Sequence, residues 1–252
     1  MLKSLVGQHL ASVVMKQCKL GAVIVLGSLS FGKVALANEN VDPYESFNRG
    51  VWKFNDYADR YVMKPVAQAY KAVTPDILER GIANVFSNIG NIPTAANNLL
   101  QGKPLKAGQD ITRFIFNATF GGFGLYDIAT DIGLPAHQED LGQTLGVWGM
   151  SQGPYIVLPF LGPSSVRDTV AYGIELSQLN YPYDDIEPDS SRNATVALNV
   201  VNLRAQLLAL DNIAPGDDYL FFRDAYLQRR EAMVRDGKTD PEAEDDFLNE
   251  DW

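Results

Sequence analysis

Residues 44–61 read YESFNRGVWKFNDYADRY, and the spacing within them decides the class of fold. Phe47, Val51, Phe54, Ala58 and Tyr61 recur at intervals of 4, 3, 4 and 3, which places them on one face of an amphipathic helix. Asp42-Pro43 precedes this stretch as a start signal. Trp52 and Tyr57 lie off the stripe, so the apolar surface is wider than a single core contact requires. Pro65 interrupts the pattern, and Val66, Ala69, Tyr70 and Val73 resume it. Thr74-Pro75-Asp76 then supplies a cap residue, a proline for the first helical position and an acid for the first turn. The face of that helix is Leu78, Ile82, Val85, Phe86 and Ile89. Further helices are predicted over 106–118 (Ile111, Phe114, Ile115, Ala118), 164–179 (Val166, Val170, Ile174), 193–210 (Val196, Val200, Leu203, Leu207, Leu210) and 217–235 (Leu220, Phe221, Tyr226, Val234). The segments between them are rich in Gly, Pro and Asn, as breakers should be. Period-two alternation is scarce, so strands are at most a minor component and the expected class is all-α, without an internal repeat.

Composition narrows the functions available. The chain has 252 residues, 21 Lys+Arg against 31 Asp+Glu, a net charge of −10 and 46% hydrophobic residues. It is long enough to bury a substantial core and too apolar for disorder. An isoelectric point near 4.7 argues against nucleic-acid binding, which needs clustered Lys and Arg to neutralise phosphates.

The first 37 residues carry Lys3, Lys16, Lys19 and Lys33 and no acid. Residues 20–31 read LGAVIVLGSLSF, and Ala35-Leu36-Ala37 follows as a small-x-small cleavage site. A basic start, a short apolar run and such a site read as a secretory signal peptide over 1–37. The alternative is an uncleaved anchor, although the run is short of the roughly 20 apolar residues of a membrane span. Cleavage would leave 17 positive and 31 negative charges, net −14, and would remove Cys18 and His9. The mature chain would then hold His137 and no cysteine, which excludes cysteine proteases, zinc-thiolate sites and multi-histidine metal sites. Cys18 precedes the apolar run behind Met15-Lys16-Gln17, which does not suit lipid attachment. At the other end, 238–252 continues a segment with eight acids and one lysine after residue 235, and reads as a solvated acidic tail.

Two segments do not fit a plain bundle. Residues 118–133 read ATFGGFGLYDIATDIG, and 141–162 read LGQTLGVWGMSQGPYIVLPFLG without one charge. The second holds Leu145, Val147, Trp148, Tyr155, Leu158 and Phe160 beside glycines and prolines that should break any helix. Such an excursion is either threaded into a core or placed against lipid or a ligand.

The search for catalytic chemistry comes back empty. Gly149-Met150-Ser151-Gln152-Gly153 matches the G-x-S-x-G nucleophile motif, but no histidine follows Ser151 and no strand–turn–helix alternation surrounds it. His137-Gln138-Glu139-Asp140 is short of ligands for a metal site. Asp127 with Asp131, and Asp184 with Asp185, have nothing to separate their proton affinities for general acid–base work. No catalytic residue, metal or cofactor is expected.

Several ordered motifs carry a resemblance. Asp42-Pro43-Tyr44-Glu45-Ser46-Phe47-Asn48-Arg49 with Phe54-Asn55 resembles the opening of the MlaA (VacJ) family of outer-membrane phospholipid-transport proteins. So do Thr112-Arg113-Phe114 with Asn117, the following GGFGLYDIA, Leu141-Gly142-Gln143-Thr144-Leu145-Gly146, and Gly153-Pro154-Tyr155 with Leu158-Pro159-Phe160. Arg204-Ala205-Gln206-Leu207-Leu208 and Arg223-Asp224-Ala225-Tyr226 continue it, so the resemblance covers about 42–237.

The resemblance implies a ring-like, all-helical single domain over 38–237, set in the inner leaflet of the outer membrane of a Gram-negative bacterium. An amphipathic channel with a glycine-rich hairpin loop would pass misplaced phospholipids from the outer leaflet to a periplasmic carrier, beside a porin trimer, without enzymatic chemistry. By the same resemblance Phe54, Asn55, Leu145, Gly146, Trp148, Gly153, Tyr155, Leu158 and Phe160 would border the channel or form its loop. Family members typically carry a lipidated cysteine directly after the signal, whereas here Asn38-Glu39 follows Ala37, so the expectation is an unlipidated protein. The alternative is a soluble periplasmic binding or scaffold protein whose 141–162 segment is simply core.

Overall fold

The computed structural model describes residues 41–178, 187–211 and 216–237. The predicted signal peptide and acidic tail lie outside the described residues. The described elements are mainly helical: α1 (Glu45–Ala58), α2 (Lys64–Val73), α3 (Asp76–Leu100), α4 (Pro104–Thr119), a single turn α5 (Ile128–Asp131), α6 (Leu141–Val147), α7 (Val166–Gln178), α8 (Asp189–Leu207) and α9 (Asp218–Val234). Between α6 and α7 stands a hairpin of β1 (Tyr155–Leu158) and β2 (Gly162–Ser165), paired antiparallel with Tyr155 opposite Ser165 and Leu158 opposite Gly162.

Several expectations need correction. Pro65 does not break the first helix: Ala58 and Lys64 keep helical dihedrals, and a π turn over Asp59–Met63 joins α1 to α2. Proline has no N–H for the usual bond four residues back, and the wider turn accommodates this by pairing Lys64 N–H with Asp59 O. Pro75 occupies the N-cap of α3 in place of Thr74, so the helix starts at Asp76, one residue later than predicted, and it runs on through Pro93 to Leu100.

The 141–162 segment is not broken throughout either, because its first seven residues form α6. Asp140 caps that helix by accepting from Gln143 N–H at 2.8 Å. Its glycines allow close approach: a Cβ on Gly142 would stand 2.4 Å from Asp168 Oδ1, and one on Gly146 would stand 2.9 Å from Arg167 Nη1. Packing therefore overrides the poor helix propensity of glycine.

The distribution of polarity is inverted. Among the described residues, eighteen polar or charged side chains are buried against eleven hydrophobic ones, six of which are alanine. Of the stripe predicted over 44–61, Phe47, Phe54 and Tyr61 face outward, with Phe47 at 64% and Tyr61 at 69% exposure, while Val51 packs against buried Tyr155 and Val157. Val196, Val200, Leu203, Leu207 and Leu210 around α8 are exposed too. The buried positions of α8 are Asn202 and Ala205 instead.

Helices α3 and α4 meet through a polar seam in which Asn98 Nδ2 donates to Asp110 Oδ2 at 2.8 Å and His137 Nδ1 lies 2.8 Å from Asp110 Oδ1. Arg113 at the other end of the seam holds Asp127 at 2.8 Å and the carbonyl of Leu134 at 2.6 Å. In water a chain normally buries its apolar residues and shows its polar ones.

A second polar cluster joins α6, α7 and α9. Arg230 Nη2 donates to Asp140 at 2.9 Å and to Asp168 at 3.0 Å, while Tyr226 donates to Asp168 at 2.6 Å. Burial pushes both carboxyls up, but the hydrogen bonds and charge of Arg230, with Gln143 at Asp140 and Tyr226 at Asp168, hold both below the ordinary carboxylate value. A depressed folded pKa means stability that is present above the unfolded pKa, about 4, and lost as pH falls through the folded values. Thermal unfolding should therefore lose this contribution only below about pH 4, and Asp168→Asn should flatten that acid limb.

Candidate functional site

The face of α1 turned toward the protein carries two asparagines, Asn48 and Asn55, seven residues apart. Seven residues bring a helix back to the same side after about 10.5 Å. Three residues of strand cover about 10 Å, so the two spacings match. Asn48 accepts from Val157 N–H at 2.9 Å and donates to Tyr155 O at 3.0 Å. Asn55 accepts from Phe160 N–H at 2.8 Å and donates to Leu158 O at 2.9 Å. One edge of β1 is thus bonded to β2 and the other to side-chain amides of α1.

Asn48 is fully buried and also donates to Asp42 Oδ1 at 2.8 Å. Asp42 in turn accepts from the Tyr219 hydroxyl of α9. This arrangement explains the Asp42…Asn48 and Phe54-Asn55 motifs: they are the polar bolts that fasten α1 to the hairpin. Sequence reasoning gave no role to Asn48; the signal available was two asparagines at helical spacing beside an aromatic stripe.

The hairpin turns through Pro159, Phe160 and Leu161, with Phe160 at φ 62°. A left-handed backbone is costly for a phenylalanine, which has a Cβ. The Asn55 bond to its amide and an edge-on contact with Phe54, ring centres 5.1 Å apart, hold it there. Between α1 and this turn lies a groove of about 470 Å³ lined by Ser46, Phe47, Gly50, Val51, Phe54, Pro159 and Phe160. Only Ser46 among these is polar, so the groove suits an apolar occupant.

Of the residues expected at a channel or loop, the structure brings Phe54, Asn55, Leu158 and Phe160 together here. Tyr155 lies behind them, fully buried, its ring 6.1 Å from those of Tyr219 and Tyr226. Burial first, then the charge of Asp42, raises its hydroxyl pKa well above the ordinary tyrosine value. Leu145, Gly146 and Trp148 sit elsewhere, on or at the end of α6. Leu145 packs with Leu141 and Ala171, and Trp148 Nε1–H donates to Leu100 O at 3.0 Å, closing the end of α3. Gly153 at φ 68° turns the chain from α6 into the hairpin against Val166. Ser151 lies exposed in the same turn, and His137 is engaged with Asp110.

Residues 40–233 match the family model described as MlaA lipoprotein. The chain belongs to the MlaA family. A relative from Haemophilus influenzae, the intermembrane phospholipid transport system lipoprotein MlaA, is 30% identical over 92% of this chain and 95% of its own. The Escherichia coli K12 protein of the same name is 30% identical over 88% of this chain and 89% of its own. An uncharacterized Rickettsia felis protein is 33% identical over 78% and 79% of the two chains. Among solved structures, a chain from work on the structural basis for maintenance of bacterial outer membrane lipid asymmetry superposes with TM-score 0.65 at 30% identity. It covers 77% of this chain and 98% of that one. The MlaA model and the named relatives are lipoproteins, in contrast to the unlipidated chain expected from Asn38-Glu39.

Proposed function

We propose that this member of the MlaA family moves phospholipids between membranes. It removes misplaced molecules from the outer leaflet of the outer membrane through an amphipathic channel and passes them to a periplasmic carrier. The inverted polarity carries this reading. Outward residues such as Phe47 and Phe54 on α1, Tyr61 in the π turn, and Val200, Leu203 and Leu207 on α8 favour a lipid surrounding, and the buried asparagines, aspartates and arginines favour a polar interior. No helix among the described residues is long and apolar enough to cross a membrane, which fits a body seated in one leaflet. Relatives named for phospholipid transport support the substrate class. The groove beside the hairpin turn would take one acyl chain, with Phe54 and Phe160 as its walls. Moving a lipid breaks no covalent bond, so no catalytic group is required.

The apolar exterior would hold the protein in the leaflet, and a porin trimer would stand beside it. Extraction of native outer membranes should therefore need mild detergent. Native mass spectrometry of the extract should find phospholipid and a porin trimer with the chain, and an N-terminus at Asn38 without an acyl group. Release by salt alone, with neither lipid nor porin, would establish a soluble periplasmic scaffold instead. An acylated N-terminus would overturn the peptide-only attachment while leaving transport intact.

A further inference from the structure

The π turn between α1 and α2 is held at both ends by one ionic clip formed by Arg204 of α8 and Asp211 just beyond that helix. Asp59 opens the turn, and its carboxylate receives Arg204 Nε at 2.6 Å and Nη2 at 2.8 Å. Lys64 follows the turn, and its Nζ lies 2.8 Å from Asp211 Oδ2. Arg204 Nη2 also reaches Asp211 Oδ1 at 2.9 Å, which closes the clip. The Arg204 and Asp211 side chains are each 16% exposed, so the bond between them is shielded, whereas Asp59 and Lys64 stand partly in water at 37% and 38%. Burial tends to raise Asp211, and the hydrogen bonds from Lys64 and Arg204 bring it below the usual carboxylate value.

A π turn is a strained alternative to the α-helix and persists where something holds it. It inserts one residue, which changes the phase of the helix before it by about 100° relative to the helix after it. Helix α2 is seated on α8, with Ala67 buried and the Tyr70 hydroxyl 3.1 Å from Asn202 Oδ1. With α2 fixed, the phase of α1 follows from the extra residue. That phase aims Asn48 and Asn55 at β1. Asn55, which grips the hairpin turn, stands one helical turn before Asp59.

We infer that Arg204, through Asp59 and Asp211, is a positioning residue for the hairpin turn: it keeps the π turn in place and so keeps Asn55 on Leu158 and Phe160. The inference rests on the proposed lipid role of the hairpin only for its biological meaning.

The test is hydrogen–deuterium exchange of the full chain in detergent, resolved to single amides by electron-transfer fragmentation. Asp59→Asn is the milder variant, because Arg204, Asp211 and Lys64 remain paired. Arg204→Gln is the stronger, and Arg204→Lys keeps the charge without the fork. In Asp59→Asn and Arg204→Gln the Phe160 amide should exchange at least about tenfold faster, as in Asn55→Ala, with Arg204→Lys in between. The Val157 amide, held two turns further away by Asn48, should change by less than about threefold. The Ala129 amide, bound to Asn117 Oδ1 at 2.8 Å, should not change and serves as the internal reference. An unchanged Phe160 amide would overturn the inference, and so would an equal rise at Ala129, which would mean general loosening. Outer-leaflet phospholipid is measured in the same variants. Faster Phe160 exchange with normal lipid asymmetry would keep the positioning role and remove the hairpin from transport.

Discussion

Asn48→Ala should lower the stability of the protein by about 4 kcal/mol and leave α1 holding the hairpin through Asn55 alone among its asparagines. The amide makes three bonds, to Asp42, Tyr155 O and Val157 N–H, and has no exposed surface. Truncation leaves a buried carbonyl, a buried N–H and a carboxylate oxygen each short of a partner. An orphaned buried group costs about 1–3 kcal/mol, and water entering the small void would soften the total. For a chain of this size, the melting midpoint should drop by roughly 8–16 °C in detergent. Asn48→Asp is the sharper comparison. It preserves volume and the acceptor for Val157 N–H, but it loses both donors and sets a second carboxylate against Asp42. If Asn48 served only to fill space, the aspartate would be tolerated. We expect it to be at least as harmful as alanine, and a melting midpoint near wild type would refute the bonding role.

Arg230→Ala should cost about 3 kcal/mol, or roughly 6–12 °C in melting midpoint. Breaking a buried ion pair usually costs about 3–5 kcal/mol, because the remaining charge is stranded. The lower end applies here because Arg167 Nε still lies 3.0 Å from Asp168 Oδ1 and Tyr226 still donates to it. Arg230→Lys should recover only part of the loss, since an ammonium does not reach Asp140 and Asp168 with the geometry of a guanidinium. Arg230→Ala combined with Asp168→Asn should be less damaging than the sum of the two, since one of the two carboxylates that Arg230 serves is then neutral and only Asp140 is left without its partner. Strict additivity would show that the two side chains do not act together.

The helices were legible in the sequence because their apolar residues recur with helical period whether they face a core or a lipid. Periodicity reports that Phe47, Phe54 and Tyr61 share a side, and it carries no information about what lies against that side. That is why the stripe could be drawn from the sequence while its outward aim could not. The resemblance implied a hairpin loop, but its strands escaped the reading of periodicity because four-residue strands such as Tyr155–Leu158 are too short to show alternation. Its second strand, Gly-Pro-Ser-Ser, has the composition of a loop. The α6 helix escaped because its two glycines are chosen for the side chains of Asp168, Arg230 and Arg167 that press on them, partners 21 or more residues away. The bolts Asn48 and Asn55 were in view as motif letters, but their function depends on a match between helix rise and strand rise that appears only in three dimensions.

The amide ladder along β1 has a further consequence for the life of the chain before it reaches the membrane proposed for it. A lone two-stranded ribbon offers an unfilled row of donors and acceptors on each outer side, which invites strands from other molecules. On the side of β1 that faces α1, the same side chains that fix the ribbon also deny that row to strangers. Pro163 does part of the same service in β2, where it withholds a donor. An apolar-skinned protein in transit through water is already at risk of sticking to its neighbours; here at least the route to ordered, fibril-like stacking begins closed.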